Sequence, residues 1–187
     1  MKKGILLLFL LVSNLIFSQS IYKGLEFEMT PKEAKKEFKK NKNNYISVDL
    51  GNNFYYRIYR QNFIFLDKKL SCVVLTPKGF SLGMDYDSAR NYLIHTRSFF
   101  TDLGYEIFLD NEYWNAPLNY ASSGSKWGLI LFNKDKTKII QIFPQKYNTL
   151  STTSFLVNLR IWNYNAWMDL YNKENDLQNN KKANSGF

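Results

Sequence analysis

The sequence is poor in the residues that most often carry chemistry. One cysteine and one histidine occur in 187 residues. A single cysteine excludes an internal disulfide, so any fold must stand on its core. One histidine and one cysteine leave no paired spacing of the kind that holds zinc or another transition metal. Gly-x-Ser-x-Gly, P-loop and dinucleotide fingerprints are missing. No cofactor is expected, and no reader motif for nucleic acid is present. After the first eighteen residues no apolar run is long enough to span a bilayer.

What is present begins with that leader. Lys2 and Lys3 precede an apolar run from Gly4 to Phe17, and Ser18 offers a small residue for cleavage. The pattern is that of a secretory signal peptide over residues 1–18, with no cysteine that would make a lipoprotein. The expected location is therefore periplasmic or secreted, with no transmembrane span once the signal is removed. Its removal takes the formal charge from +9 to +7.

Aromatic residues make up 17% of the chain, thirteen of them tyrosine, which suits half-exposed sheet positions. From Tyr45 to Thr76, short aromatic and β-branched runs alternate with Gly51-Asn52-Asn53, Arg60-Gln61-Asn62 and Asp67-Lys68-Lys69. Breaks this short predict an antiparallel meander of four strands, because parallel crossovers need more chain. A second set is expected at 105–109, 127–132, 137–143 and 154–162. Insertions at 110–126 and 145–153 interrupt it.

A helix precedes each set. Thr30-Pro31-Lys32-Glu33 reads as a capping box with proline at the first helical position. Ala34 and Phe38 then face inward. Asp85 or Asp87 caps the second helix. Its apolar side carries Ala89, Tyr92, Leu93, Thr96, Phe99, Phe100 and Leu103, and Gly104 stops it. Gly24-Leu25-Glu26-Phe27-Glu28-Met29-Thr30 and Gly79-Phe80-Ser81-Leu82-Gly83-Met84-Asp85 align at an offset of 55 residues. The expectation is an α+β fold of two helix-plus-four-strand repeats, 19–78 and 79–163, sharing one antiparallel sheet with the helices on one face. A short helix follows at 164–178, and a polar, disordered tail at 179–187.

The extended lead-in, the Gly83-Met84-Asp85 step and a helix before an antiparallel sheet resemble the β-lactamase-inhibitor-protein-like superfamily. That superfamily includes small outer-membrane-assembly lipoproteins. The resemblance covers about residues 21–163 and lies in organisation; Glu28-Met29-Thr30 departs from the glycine form. It implies an extracytoplasmic binding or assembly module rather than a catalyst.

Candidate sites follow from the faces. Tyr55, Arg57 and Tyr59 alternate with Phe54, Tyr56 and Ile58. Leu156, Asn158, Arg160 and Trp162 alternate with Phe155, Val157, Leu159 and Ile161. The first set of each pair is the Tyr/Arg/Trp palette of protein interfaces. A protein partner is expected on that open face, with Trp114 at its rim. Lys32, Lys35, Lys36 and Lys39 form a ridge that suits an anionic envelope surface or glycan. A third reading is a small hydrolase. It would draw on Ser123-Gly124-Ser125-Lys126, on Asp110 and Glu112, or on Cys72 and His95. Cys72 is expected as a buried small hydrophobe beside Leu70 and Val74, and His95 as a solvated flank residue.

Overall fold

A computed structural model describes residues 20–80, 83–110, 128–148 and 153–185. The leader, most of the 110–126 segment and the tip at 149–152 lie outside it. The described chain is an α+β fold built on one large antiparallel sheet. A two-stranded ribbon, β1 (Ser20–Tyr22) and β2 (Leu25–Glu26), leads into α1 (Pro31–Lys40) and a single turn, α2 (Lys42–Tyr45). Then come β3 (Val48–Asp49), β4 (Tyr55–Leu66) and β5 (Lys69–Pro77). Helix α3 (Tyr86–Asp102) precedes β6 (Glu106–Leu109), β7 (Leu129–Phe132), β8 (Lys138–Asn148) and β9 (Thr153–Asn163). Helix α4 (Tyr164–Ser185) ends the described chain. The sheet order is β3-β4-β5-β9-β8-β7-β6, so the last strand of each half meets the other at the centre.

Local chemistry explains the helix starts. The Thr30 hydroxyl accepts the Glu33 N–H at 3.4 Å, and the Glu33 carboxylate accepts the Thr30 N–H at 2.8 Å. Asp85 caps α3 by accepting the Ser88 N–H at 2.8 Å. Both caps hold acids at helix N-termini, and those hydrogen bonds keep the Glu33 and Asp85 carboxyls below their ordinary range. Gly104, at φ +83°, ends α3 in the left-handed region. Residues aligned in the two lead-ins share backbone conformation: Gly24 and Gly79 are left-handed, and so are Glu28 and Gly83.

Helices α1 and α3 lie on one face. Ala34, Ala89, Tyr92, Leu93 and Phe100 pack there on Tyr56, Ile58, Val73, Leu75, Val157 and Leu159. Each such side chain, fully buried, contributes about 1.5–3 kcal/mol. A buried polar pair in that layer is satisfied: Tyr56 Oη and Thr96 Oγ1 are 3.0 Å apart, and the Thr96 hydroxyl donates to the Tyr92 carbonyl.

Several expected boundaries move. Arg60-Gln61-Asn62 is no turn. β4 runs through it as one strand, because Ile58 pairs with Leu75 and Phe63 with Val73, so the extra residues are absorbed in a wide bulge. The first half thus supplies three strands, not four. The segment 145–153 is largely an extension of the β8–β9 hairpin, paired out to Asn148 and Thr153. Helix α4 continues to Ser185, past the expected end at 178. A second irregularity, between Ile64/Cys72 and Phe65/Leu70, puts Leu70 in the core under α1 and α3 and Cys72 on the opposite face. Leu70 and Cys72 therefore do not share a side.

Gly128 opens β7 at φ +64°, and a Cβ there would run into the Ile142 carbonyl on β8. A left-handed alanine costs about 1–2 kcal/mol before any clash, and the neighbour is backbone that cannot swing aside. Gly128→Ala should lower stability by at least about 2 kcal/mol, read as a drop in the urea midpoint. An unchanged midpoint would show that the β7–β8 pair yields there.

Candidate partner-binding face

The second face of the sheet is defined by register. Arg57 pairs with Thr76, Val74 with Arg160, and Cys72 with Trp162. Arg160 also lies opposite Gln141, Trp162 opposite Ile139, and Asn158 opposite Phe143. Partners across a ladder point the same way, so Arg57, Thr76, Asn158, Arg160 and Trp162 share the side away from α1 and α3.

That side is not open along its whole length. After β9 the chain reverses and lays α4 across it. Trp167, fully buried, packs with Cys72, Ile130, Ile139 and Trp162 in a second apolar cluster. Trp162 is itself 6% exposed, and its indole N–H donates to Gln141 Oε1 at 2.9 Å. The expectation that Trp162 contacts a partner directly is therefore corrected: a helix covers it, because two tryptophans bury more apolar area against each other than against water.

Beyond Trp167 the helix leaves a groove of about 340 Å³ over the sheet, floored by Gln141, Arg160 and Trp162 and walled by Leu170, Lys173, Glu174 and Leu177. Leu170 and Leu177 are exposed along this wall. Beside the groove lie Arg57, Thr76 and Asn158. The Arg57 guanidinium stacks 4.5 Å from the Tyr59 ring centroid, and that of Arg160 4.7 Å from the Phe143 ring. Stacking orients the forks and leaves their edges for an acceptor. Arg57 Nε, Arg160 Nε, Thr76 Oγ1 and Asn158 Oδ1 are buried atoms with no hydrogen-bond partner among the described residues. The Lys69–Glu28 and Arg97–Asp110 ion pairs involve neither arginine. Burial lowers the pKa of Arg160, although a guanidinium stays charged. Both arginines are half-buried, with only Nε wholly withdrawn from water, and a further acceptor on those N–H groups would be stabilised.

The remaining sequence candidates fall elsewhere. Tyr55 and Tyr59 are half-buried along β4, and the Lys78 ammonium lies 5.8 Å from the Tyr55 ring centroid. Lys32, Lys35, Lys36 and Lys39 are exposed on α1, beyond the opposite face. Trp114, Glu112, Ser123 and Lys126 lie outside the described residues. Asp110 pairs with Arg97 at 3.0 Å. His95 is not solvated: its ring stacks on Phe54 at 4.1 Å, and Nε2 lies 2.8 Å from the Leu50 carbonyl, to which it donates. It belongs to α3 on one side of the sheet while Cys72 sits beneath α4 on the other, so they form no nucleophile–base pair. Among the described residues no cluster of three or more metal-ligating side chains occurs, and no helix is long and apolar enough to cross a membrane.

Cys72 is fully buried, and desolvation raises its thiol well above the ordinary value. Thiol reagents should therefore label it at least about a thousandfold more slowly in the native protein than in denaturant, since only opened molecules react. Rapid native labelling would place the thiol at the surface.

No family model, curated protein or solved structure matches this chain. Its functional reading rests on its own geometry.

Proposed function

We propose that the protein is an exported, non-catalytic binding or assembly module that takes an acidic segment of a protein partner on the β4-β5-β9-β8 face, beside α4. The observation that carries this reading is the pair of stacked guanidiniums, Arg57 and Arg160, each with a buried Nε lacking a partner among the described residues. An extended acidic peptide would place carboxylates on the two forks and apolar side chains against Leu170 and Leu177.

The test is fluorescence anisotropy with labelled Glu/Asp-rich peptides carrying interspersed leucines. Arg160→Gln should weaken binding about tenfold to a hundredfold, the range for losing a charge-assisted hydrogen bond of about 1.5–3 kcal/mol. Reversal of Lys35 and Lys36 should leave it unchanged. Equal affinity in Arg57→Gln, Arg160→Gln and the parent would remove the reading.

The exposed Lys32, Lys35, Lys36 and Lys39 ridge favours a second reading, adhesion to an anionic envelope surface or glycan. Salt-sensitive sedimentation with anionic vesicles, lost on lysine reversal and kept in the arginine variants, would favour it over the first. The resemblance to the β-lactamase-inhibitor-protein-like superfamily, with origin of the two halves by duplication, is part of the same proposal. Support for it comes from the shared left-handed residues and caps of the lead-ins.

A further inference from the structure

The core under α3 is incompletely filled. Where the C-terminal end of α3 crosses the sheet, a cavity of about 220 Å³ opens between Leu50, Leu75, Phe99, Phe100, Ile140 and Leu159. Protein interiors are packed as densely as organic crystals and leave few voids larger than a water molecule. This one has room for about seven waters at roughly 30 Å³ each, but its apolar walls offer them few partners, and engineered apolar cavities of about 150 Å³ stay dry and take apolar guests. The edge-on rings Phe99–Phe100 and Phe100–Tyr105, at 5.2 and 5.3 Å, brace the helix end against collapse. Leu103, 61% exposed, stands at the rim where the cavity meets solvent.

One cation borders this space. Lys138 alternates with Ile139, so it points to the same face as the cavity wall at Ile140. Among the described residues it makes no salt bridge, and burial lowers its pKa. The other polar side chains at the border are Tyr22, Tyr105 and Asp49. Asp49 is exposed, and its carboxylate accepts the Gly51 N–H at 2.7 Å. A half-desolvated ammonium beside an apolar chamber is an arrangement that costs stability unless an anion with an apolar body joins it.

We propose that this cavity binds one medium-chain carboxylic acid, its chain among Leu75, Phe100, Ile140 and Leu159 and its carboxylate on Lys138. At about 30 Å³ per methylene-sized group, the space accepts roughly seven carbons and excludes a full-length membrane acyl chain. The site lies on the other side of the sheet from Arg57 and Arg160, so it does not depend on the partner-binding reading.

The experiment is calorimetric titration of the purified protein with octanoate, octan-1-ol and palmitate, repeated in Lys138→Met and Ile140→Phe. The proposal expects octanoate to bind at least tenfold more tightly than octanol in the parent, and palmitate to bind at least tenfold more weakly than octanoate. Lys138→Met should bind both C8 compounds equally while melting no lower than the parent, since it removes a desolvated charge. Ile140→Phe fills the space and should lose both. Equal binding of octanoate and octanol by the parent overturns the carboxylate site. No heat from either, or tighter binding of palmitate, overturns the cavity as a medium-chain pocket. A Lys138→Met protein that folds and still prefers octanoate overturns the role of the lysine.

Discussion

Raising the pH from 9 to 11 should lower the protein's stability progressively. Two weak acids, Cys72 and Tyr56, are completely buried on opposite faces of the sheet. Desolvation raises the Cys72 thiol above its ordinary 9.0 and the Tyr56 phenol above its ordinary 10.0. Tyr56 is raised although its hydroxyl meets Thr96, because that hydrogen bond offsets burial only in part. In each case the unfolded chain gives up its proton at the ordinary value while the folded chain keeps it. The unfolded state is then favoured by about 1.4 kcal/mol per pH unit per group above that value. Cys72 begins to contribute near pH 9; Tyr56 begins near pH 10, together with Tyr45, Tyr92 and Tyr105, which burial also raises.

The sign for Lys138 is opposite. Its lowered pKa means that the unfolded chain holds the extra proton, so its share rises with pH and levels off once the unfolded lysine titrates. The alkaline loss is therefore steeper above the ordinary lysine range than below it. Urea midpoints between pH 8 and 11 would show it. Cys72→Ala should remove the part that begins near pH 9, and Tyr56→Phe a share of the part that begins near pH 10, the rest belonging to Tyr45, Tyr92 and Tyr105. A midpoint that holds level to pH 11 would mean that these groups reach water in the native state.

Much of this fold was legible because local rules and global packing agree. The Thr30 capping box, Pro31, the α3 stripe and Gly104 each state a boundary in adjacent residues, and the structure respects them except at Leu103, the last residue of the stripe, which is 61% exposed. Alternation on β4 and β9 gave the helix-covered set Tyr56, Ile58, Val157 and Leu159 without error, because a strand has a period of two and one face is always core. Errors arose where that period slips. The wide bulge after Ile58 looks like a turn in sequence, since Arg60-Gln61-Asn62 is as polar as one. The irregularity beside Ser71 moves Leu70 and Cys72 to opposite faces, and nothing in Leu70-Ser71-Cys72 marks it.

The covered end of the second face left a signal that alternation alone obscures. Leu129-Ile130-Leu131 and Ile139-Ile140 are continuous apolar runs, and such runs belong to strands buried on both sides. They predict a cover over Ile130 and Ile139, and the Trp167–Tyr171 step of α4 is the segment that supplies it. The groove and the stacked guanidiniums beside it were visible only as residue types. Their register with Thr76, Asn158 and Gln141 needs the pairing of β5 with β9, a contact between distant segments that no local pattern encodes.

Trp167→Ala should cost about 3–5 kcal/mol, the range for removing a buried aromatic from a core. The ring stacks on Tyr171 at 5.1 Å, meets Phe108 edge-on at 5.9 Å, and is fully buried against Trp162 and Cys72. Its loss removes the main anchor of a helix whose outer half, Leu177 included, is mostly exposed as far as it is described. The remaining anchors, Tyr164 and Met168, are only half-buried. The damage should therefore fall on α4 before the sheet. Hydrogen exchange should accelerate across residues 165–178 while β5 and β9 stay protected, and Cys72 should become reactive to thiol reagents under native conditions. Trp167→Phe, which keeps a ring on Tyr171, should recover part of both. The groove above Arg160 exists only while α4 is seated, so acidic-peptide binding should weaken in Trp167→Ala even though both arginines are intact. If exchange instead rises equally in α4, β5 and β9, helix and sheet open as one cooperative unit, and α4 is a fixed part of the core rather than a separately held wall.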